Sequence, residues 1–526
     1  MSAADAVEVG GVEHEVAETV GNEESGSTLP MIALMLTVLI GLSAFAIDLG
    51  WFYLNATRVQ RAADAAALAG VIHMPYDFGS AQSDALDLAA ANGYVLAGGT
   101  NIVVTPVLDE PNMIQVEIQD TVPTFFLKVF GKSDQVINRK ARAEYVPPLP
   151  LGSPDNTFGN SCDPEQPGCS NQPNFWANIH GWYTRRGMGD AYSPICTGGV
   201  GATCSGNNVL HRDRGYLYGI EAPSGSFSVN FIDMNFHNIP NGTGCPGNQV
   251  TVPDGCTSDW TRTGDRGCEE WGHTGSDCGP TIVSTLYGPD ADPLVIENNP
   301  VICSETWEPQ PQLAVGDPYS PAAPSCMSIG SAQAGIYVLQ VRVLEPDSQP
   351  NSGLNRYGLS VSGAGSRIYG LGDISIFNNF TGSVSDFYLA EVATEYRGKT
   401  FVIELFDPGE GDGWIEVMTP TGSNNWSVFG GDCDIYTRPA GVMTGGWNLQ
   451  SSPATCRLQA DNDAAALDYD DRWVKFEIQL PNGYDCNSIN NCWWKINYDY
   501  SGGVNDTTTW RAFIVGNPIH LVPTDP

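Results

Sequence analysis

The sequence predicts a single N-terminal transmembrane helix with a small α+β domain, then a mainly all-β body of two β-sandwich or jelly-roll domains. Three observations carry this expectation. An uncharged apolar run lies near the start, from Ser25 to Ile47. All 14 cysteines fall between Cys162 and Cys492. Beyond about residue 206 the apolar period changes from helical to alternating, in short runs separated by turn residues.

The chain opens on an acidic tail, 1–28, with Glu13, Glu15, Glu18, Glu23 and Glu24. The transmembrane helix is expected over 29–54, long enough to cross a hydrocarbon layer of about 30 Å. Pro30 falls in its first turn, where a missing N–H is tolerated. Trp51 and Tyr53 stand at its far end, where interfacial aromatics belong. Ala44-Phe45-Ala46 fits a signal-peptidase site, but the tail before the run has no Lys or Arg to form the basic region of a signal peptide. Orientation is contested between two signals. Arg58 and Arg61 beyond the helix would hold the C-terminal body inside under the positive-inside rule. A cysteine framework requires an oxidising compartment, and it outweighs a bias of two arginines.

No Pro or Gly interrupts Trp51–Ala69, so one helix is expected from Pro30 to about Ile72, on the order of 65 Å at 1.5 Å per residue. Its outer half carries Leu54, Val59, Ala62, Ala66 and Ala69 near helical spacing. Such a face serves either packing against the next domain or close approach of another helix. Asp48, at the outer edge of the run, reads as a membrane boundary marker or as a partner contact.

Several features occur here in order: Gly26, Pro30, the apolar run, Ala46-Ile47-Asp48-Leu49-Gly50, Phe52-Tyr53, Arg58-Val59-Gln60, and Ala62-Ala63-Asp64-Ala65-Ala66-Ala67-Leu68-Ala69. Residues 26–74 thereby resemble the N-terminal segment of TadG-like Flp pilus-assembly proteins. The family-motif positions are Gly26, Pro30, Asp48, Gly50, Gln60, Ala63, Asp64, Ala65 and Ala66. Pilin-like subunits cut by prepilin peptidase carry Glu five residues after the cleavage-site Gly. That place, counted from Gly26, is Met31, so the resemblance is to the unprocessed branch. It implies partners among other Tad/Flp pilus-assembly or envelope proteins and residence in a bacterial cell membrane; the cysteine framework, with one pass of the helix, puts the C-terminal body outside the cytoplasm.

Residues 55–146 are expected to form the membrane-proximal α+β unit. It would hold a helix over Ser80–Ala97, strands over Asn101–Val107 and Met113–Ile118, a short amphipathic helix over Thr124–Gly131 and a closing strand over Val136–Val146. Residues 147–205 read as a Pro/Gly/Cys-rich linker. The two sandwiches are expected at 206–365 and 366–526, split near Gly365.

The net charge of -36 opposes binding to phosphate backbones, so no nucleic-acid partner is expected. The cysteines include no C-x-x-C pair, so disulfides are expected and zinc is not. Cys162/Cys169, Cys196/Cys204 and Cys486/Cys492 are candidate small-loop pairs. No zincin, nucleophile-elbow or P-loop motif surrounds any histidine, so no catalytic residue is assigned and no enzyme is expected. No cofactor is expected except calcium, for which the acidic loops offer Asp407, Asp412, Asp461, Asp463 and Asp468. The function that follows is presentation of extracytoplasmic β-sandwiches for adhesion or scaffolding. The alternative is a membrane-anchored carbohydrate-binding or calcium-dependent lectin-like module. It rests on Trp176, Trp182, Trp271, Trp414, Trp473, Trp493 and Trp494 as stacking platforms for a surface glycan, against their commoner use in cores.

Overall fold

The long helix forms as one piece, α1 (Thr28–Val71), with 44 residues. A computed structural model describes residues 28–74, 78–107, 110–160, 175–194 except 183 and 185, 208–236, 279–289, 296–309 except 298, 323–345, 353–380, 384–408, 413–439, 446–460, 469–516 except 470 and 501–503, and 519–524. The first half of α1 stands clear of the rest of the protein as far as Ile47: its large side chains from Leu29 to Ile47 are exposed. The second half is a core element. Ala56, Val59, Ala62, Ala63, Ala66, Ala67 and Val71 recur at helical spacing and are all buried.

Against that face lie α2 (Phe78–Ala91) and the strands β1 (Asn101–Val107), β2 (Glu110–Pro123) and β3 (Asp134–Tyr145). Ile114, Val116 and Ile118 alternate on β2 and point into the same core. α2 crosses α1 at Gly70. A Cβ there would stand 2.4 Å from the Ala81 carbonyl oxygen and 2.8 Å from Ile114 Cδ1. Only a glycine lets the two helices approach this closely. The sheet is antiparallel in the order β1, β2, β3, then the strand Ile519–Val522. The chain therefore leaves this unit at Tyr145, builds the whole body, and returns to close the same sheet.

Among the described residues the body consists of two antiparallel sheets of 11 strands each. The first places Tyr216–Ala222 beside Arg367–Leu371, with Ile220 opposite Ile368. The second places Phe175–His180 beside Asp373–Phe380, with Trp176 opposite Phe377. Strands from both sides of Gly365 thus share both sheets. Pairing across that point satisfies backbone groups that two separate sandwiches would leave on open edges. The expected linker 147–205 also contributes strands: Pro150–Leu151, Thr157–Phe158 and Phe175–His180 all join the sheets.

One aromatic chain runs through the shared core. Tyr218 meets Phe158 at 4.9 Å between ring centroids, Phe158 meets Phe175 at 5.3 Å, Phe175 meets Phe387 at 5.8 Å, and Phe387 meets Trp510 at 5.5 Å. All are tilted steeply to one another, the edge-on arrangement that aromatic quadrupoles favour. Three disulfides are formed among the described residues: Cys303–Cys326, Cys433–Cys456 and Cys486–Cys492.

Candidate membrane-proximal site

At the end of the exposed half of α1, the polypeptide makes its most specific contact. Asp48 is buried, and its carboxylate accepts the backbone N–H groups of Phe125 at 2.8 Å, Phe126 at 2.9 Å and Leu127 at 2.6 Å. These amides open a single 3-10 turn, Leu127–Phe130, closed by Gly131 at φ 83°. Donors at the start of such a turn lack intrahelical partners, and a carboxylate satisfies them. Trp51, one turn along α1, packs edge-on against Phe125 at 5.5 Å. Asp48 is thus a latch that fixes the β2–β3 hairpin tip to the helix.

A second tie lies further along α1. Gln60 Nε2 donates to Asp64 Oδ1 at 2.8 Å and to the Lys140 carbonyl oxygen at 3.0 Å. The motif residues therefore divide by role. Pro30 and Gly50 lie on the exposed half. Asp48 and Gln60 tie the hairpin, and Asp64 accepts from Gln60 on the same helix. Ala63 and Ala66 are fully buried, with Ala65 beside them half-buried. Gly26 lies outside the described residues. Sequence reasoning missed Gly70 and the Phe125–Leu127 amides. A lone glycine late in an Ala-rich helix was the available signal for the first; nothing in the sequence announced the second.

The unit meets the body at Glu144. This buried carboxylate takes Lys399 Nζ at 2.5 Å on one oxygen and His520 Nε2 at 3.1 Å on the other. Lys399 belongs to the body and His520 to the returning C-terminal strand, so one side chain on β3 joins all three.

Inside the body, His180, Asp190, Tyr192, Ser193, Arg212 and Tyr216 line a cavity of about 20 Å³, room for about one water. His180 Nδ1 lies 2.5 Å from Ser193 Oγ. Asp190 accepts from Tyr216 Oη at 2.6 Å and from the Tyr192 amide at 3.0 Å. Burial pushes its carboxyl up to about 6 despite those donors. Arg212 pairs with Asp373 and lies 3.8 Å from the centre of the Tyr192 ring. The cluster clamps the segment around Asp190 onto the sheets.

The acidic loops read differently in three dimensions. Asp407 is buried, at φ 63°, and accepts the Asp471 amide at 2.5 Å. Asp471 in turn is held by Arg186, at 2.7 Å and 3.0 Å. A guanidinium thus neutralises the carboxylate beside Asp407, and calcium has no support among the described residues. Asp412, Asp461, Asp463 and Asp468 lie outside them, as do Cys162, Cys169, Cys196 and Cys204. The grouping of Cys303, Glu305 and Cys326 offers no thiolate to a metal, because the two cysteines are bonded together. Of the aromatic platforms, Trp176, Trp473, Trp493 and Trp494 are buried in the body; Trp271 lies outside the described residues.

Among the described residues one helix is long and apolar enough to cross a membrane; its exposed apolar part continues into the core of a small α+β unit with a double-sheet body behind it, the organisation of a membrane-anchored protein. Residues 26–91 match the family described as putative Flp pilus-assembly TadE/G-like. No curated protein matches the chain. Among solved structures, the Faustovirus major capsid protein aligns at 6% identity over 82% of this chain and 80% of that one, with a TM-score of 0.09, too low to support any argument.

Proposed function

We propose that this is a single-pass envelope protein associated with Tad/Flp pilus assembly, holding its β-rich body outside the cytoplasm for adhesion or scaffolding without catalytic turnover. The observation that carries the reading is α1 itself. Its exposed apolar half and its Ala-faced half form one helix, and the family match over 26–91 spans both. Three disulfides favour an oxidising compartment for the body. Among the described residues, the cluster of His180, Asp190 and Ser193 leaves room for about one water, which favours a structural role for these side chains. The partners proposed are other Tad components. The lectin-like alternative has less support, since four of its seven candidate tryptophans fill the core.

The test is crosslinking in intact cells followed by pull-down of the full chain, with thiol labelling of the same cells. Recovery of Tad membrane components, with the body cysteines oxidised, supports the reading. A body that is reduced and shielded on the cytoplasmic side defeats it.

A further inference from the structure

The β2–β3 hairpin tip carries an apolar surface with no cover. Val129 and Phe130 are 79% and 82% exposed, and Phe125 and Phe126 are each nearly half exposed. Lys128 and Lys132 flank them and are also exposed. A soluble turn gains nothing from showing three aromatic rings and a valine to water.

The position of the tip identifies what covers it. Gln60 on α1 meets Lys140 on β3, whereas Asp48 meets Phe125, Phe126 and Leu127. The hairpin therefore runs alongside α1 with its tip directed toward the Leu29 half. From Thr28 to Ile47 the helix covers about 30 Å, the thickness of a hydrocarbon core. Asp48 then stands at the level where hydrocarbon gives way to headgroups, and the latch holds the tip at that same level. The exposed rings of the tip are continuous, through Phe125 and Trp51, with the exposed apolar surface of α1.

We propose that the tip Phe125–Phe130 is a second membrane anchor, inserted into the headgroup–acyl boundary of the leaflet from which α1 emerges. Phe126, Val129 and Phe130 enter the interface, where aromatic rings are favoured, and Lys128 and Lys132 meet anionic headgroups. Asp48 makes the insertion possible, because the amides of the turn reach that depth already bonded. The consequence is a fixed orientation. A lone helix can rotate and tilt, but a helix with a rigid side-arm seated in the same leaflet holds the body at one angle to the membrane. The proposal rests on α1 spanning the bilayer.

The experiment uses the full chain, purified with its disulfides intact and reconstituted into vesicles of phosphatidylethanolamine and phosphatidylglycerol. A nitroxide is placed at Val129→Cys, and independently at Phe130→Cys. Leu39→Cys serves as the mid-span control and Ser427→Cys as the exposed control in the body. Accessibility to oxygen over a water-soluble nickel chelate reads depth. The expected result is a ratio at both tip sites several-fold above that at Ser427 and below that at Leu39. With Phe126→Glu added, the tip ratio should fall to the Ser427 value while Leu39 is unchanged. Tip labels as water-accessible as Ser427, with Leu39 in lipid, would overturn the proposal while leaving the span intact. A water-accessible Leu39 would overturn the span and the proposal together.

Discussion

The membrane-proximal unit and the body fill their cores with side chains of different size. Around α1 the core is alanine, valine and isoleucine, with a glycine at the closest crossing. Between the two large sheets a similar aliphatic background is filled out by large rings, among them Phe158, Phe175, Tyr218, Phe387 and Trp510, several of them edge-on. A helix on a sheet gains from small residues, because the backbones come close and many weak contacts form at once. Two facing sheets stand about 10 Å apart, a gap that needs large side chains to fill. The difference teaches where each region is fragile: the unit to added volume, the body to lost volume.

The largest effect is expected from removing volume at the hub of the aromatic chain. Phe387→Ala deletes contacts to Phe175, Tyr498 and Trp510 and should cost about 3–5 kcal/mol. Hydrogen exchange should accelerate across Val384–Glu391 while the amides of β2 keep their protection. Equal loss in both regions would show that they unfold as one.

Asp190 probes the polar part of the body core. A carboxyl raised from 3.8 to about 6 by burial binds its proton more tightly folded than unfolded. Its contribution is present below pH 4 and is lost as pH rises through 6. At about 1.4 kcal/mol per unit, body stability should rise by up to about 3 kcal/mol as pH falls from 7 to 4. Other carboxylates oppose this trend, so the measurement is the difference from Asp190→Asn in denaturant melts across that range. A difference that does not change with pH would refute the assignment.

Gly70→Val is the matching insertion in the unit. The added atoms meet the Ala81 carbonyl and Ile114, and the cost should be about 1–3 kcal/mol. Exchange should rise in α2 and leave the aromatic core untouched. The same substitution at Gly50, which has open space around it, should cost far less in detergent melts.

The smallest and most local effect is expected at the latch. Asp48→Ala strips three amides of their acceptor, at a cost of about 1–2 kcal/mol. Proteolysis should then open the segment 124–133 first, with melting of the body unchanged. A wild-type digestion pattern would mean that the hairpin holds its own tip.

Much of the unit was legible because its signals are local. The Ala-rich run, the alternation of Ile114, Val116 and Ile118, and the glycine after Leu127–Phe130 each lie within a few residues of what they control. The body was legible only in class. Its short alternating runs announced strands, but each run has two edges and nothing in a run names its neighbour. Phe175–His180 reads as linker because Pro, Gly and Asn surround it, although every one of its residues is buried.

The sequence by itself determined the apolar span, the helix that continues from it, the β character of the body and the confinement of the cysteines to it. Composition and period act along the chain, so they can be read along the chain. Only the tertiary structure decided that Asp48 would hold a turn far beyond it in sequence, that strands on both sides of Gly365 would share two sheets, and that Ile519–Val522 would close the first unit. Those are pairings between distant residues. Backbone hydrogen bonds carry no address, and the partner is chosen by which arrangement buries the most apolar surface with the fewest unpaired groups.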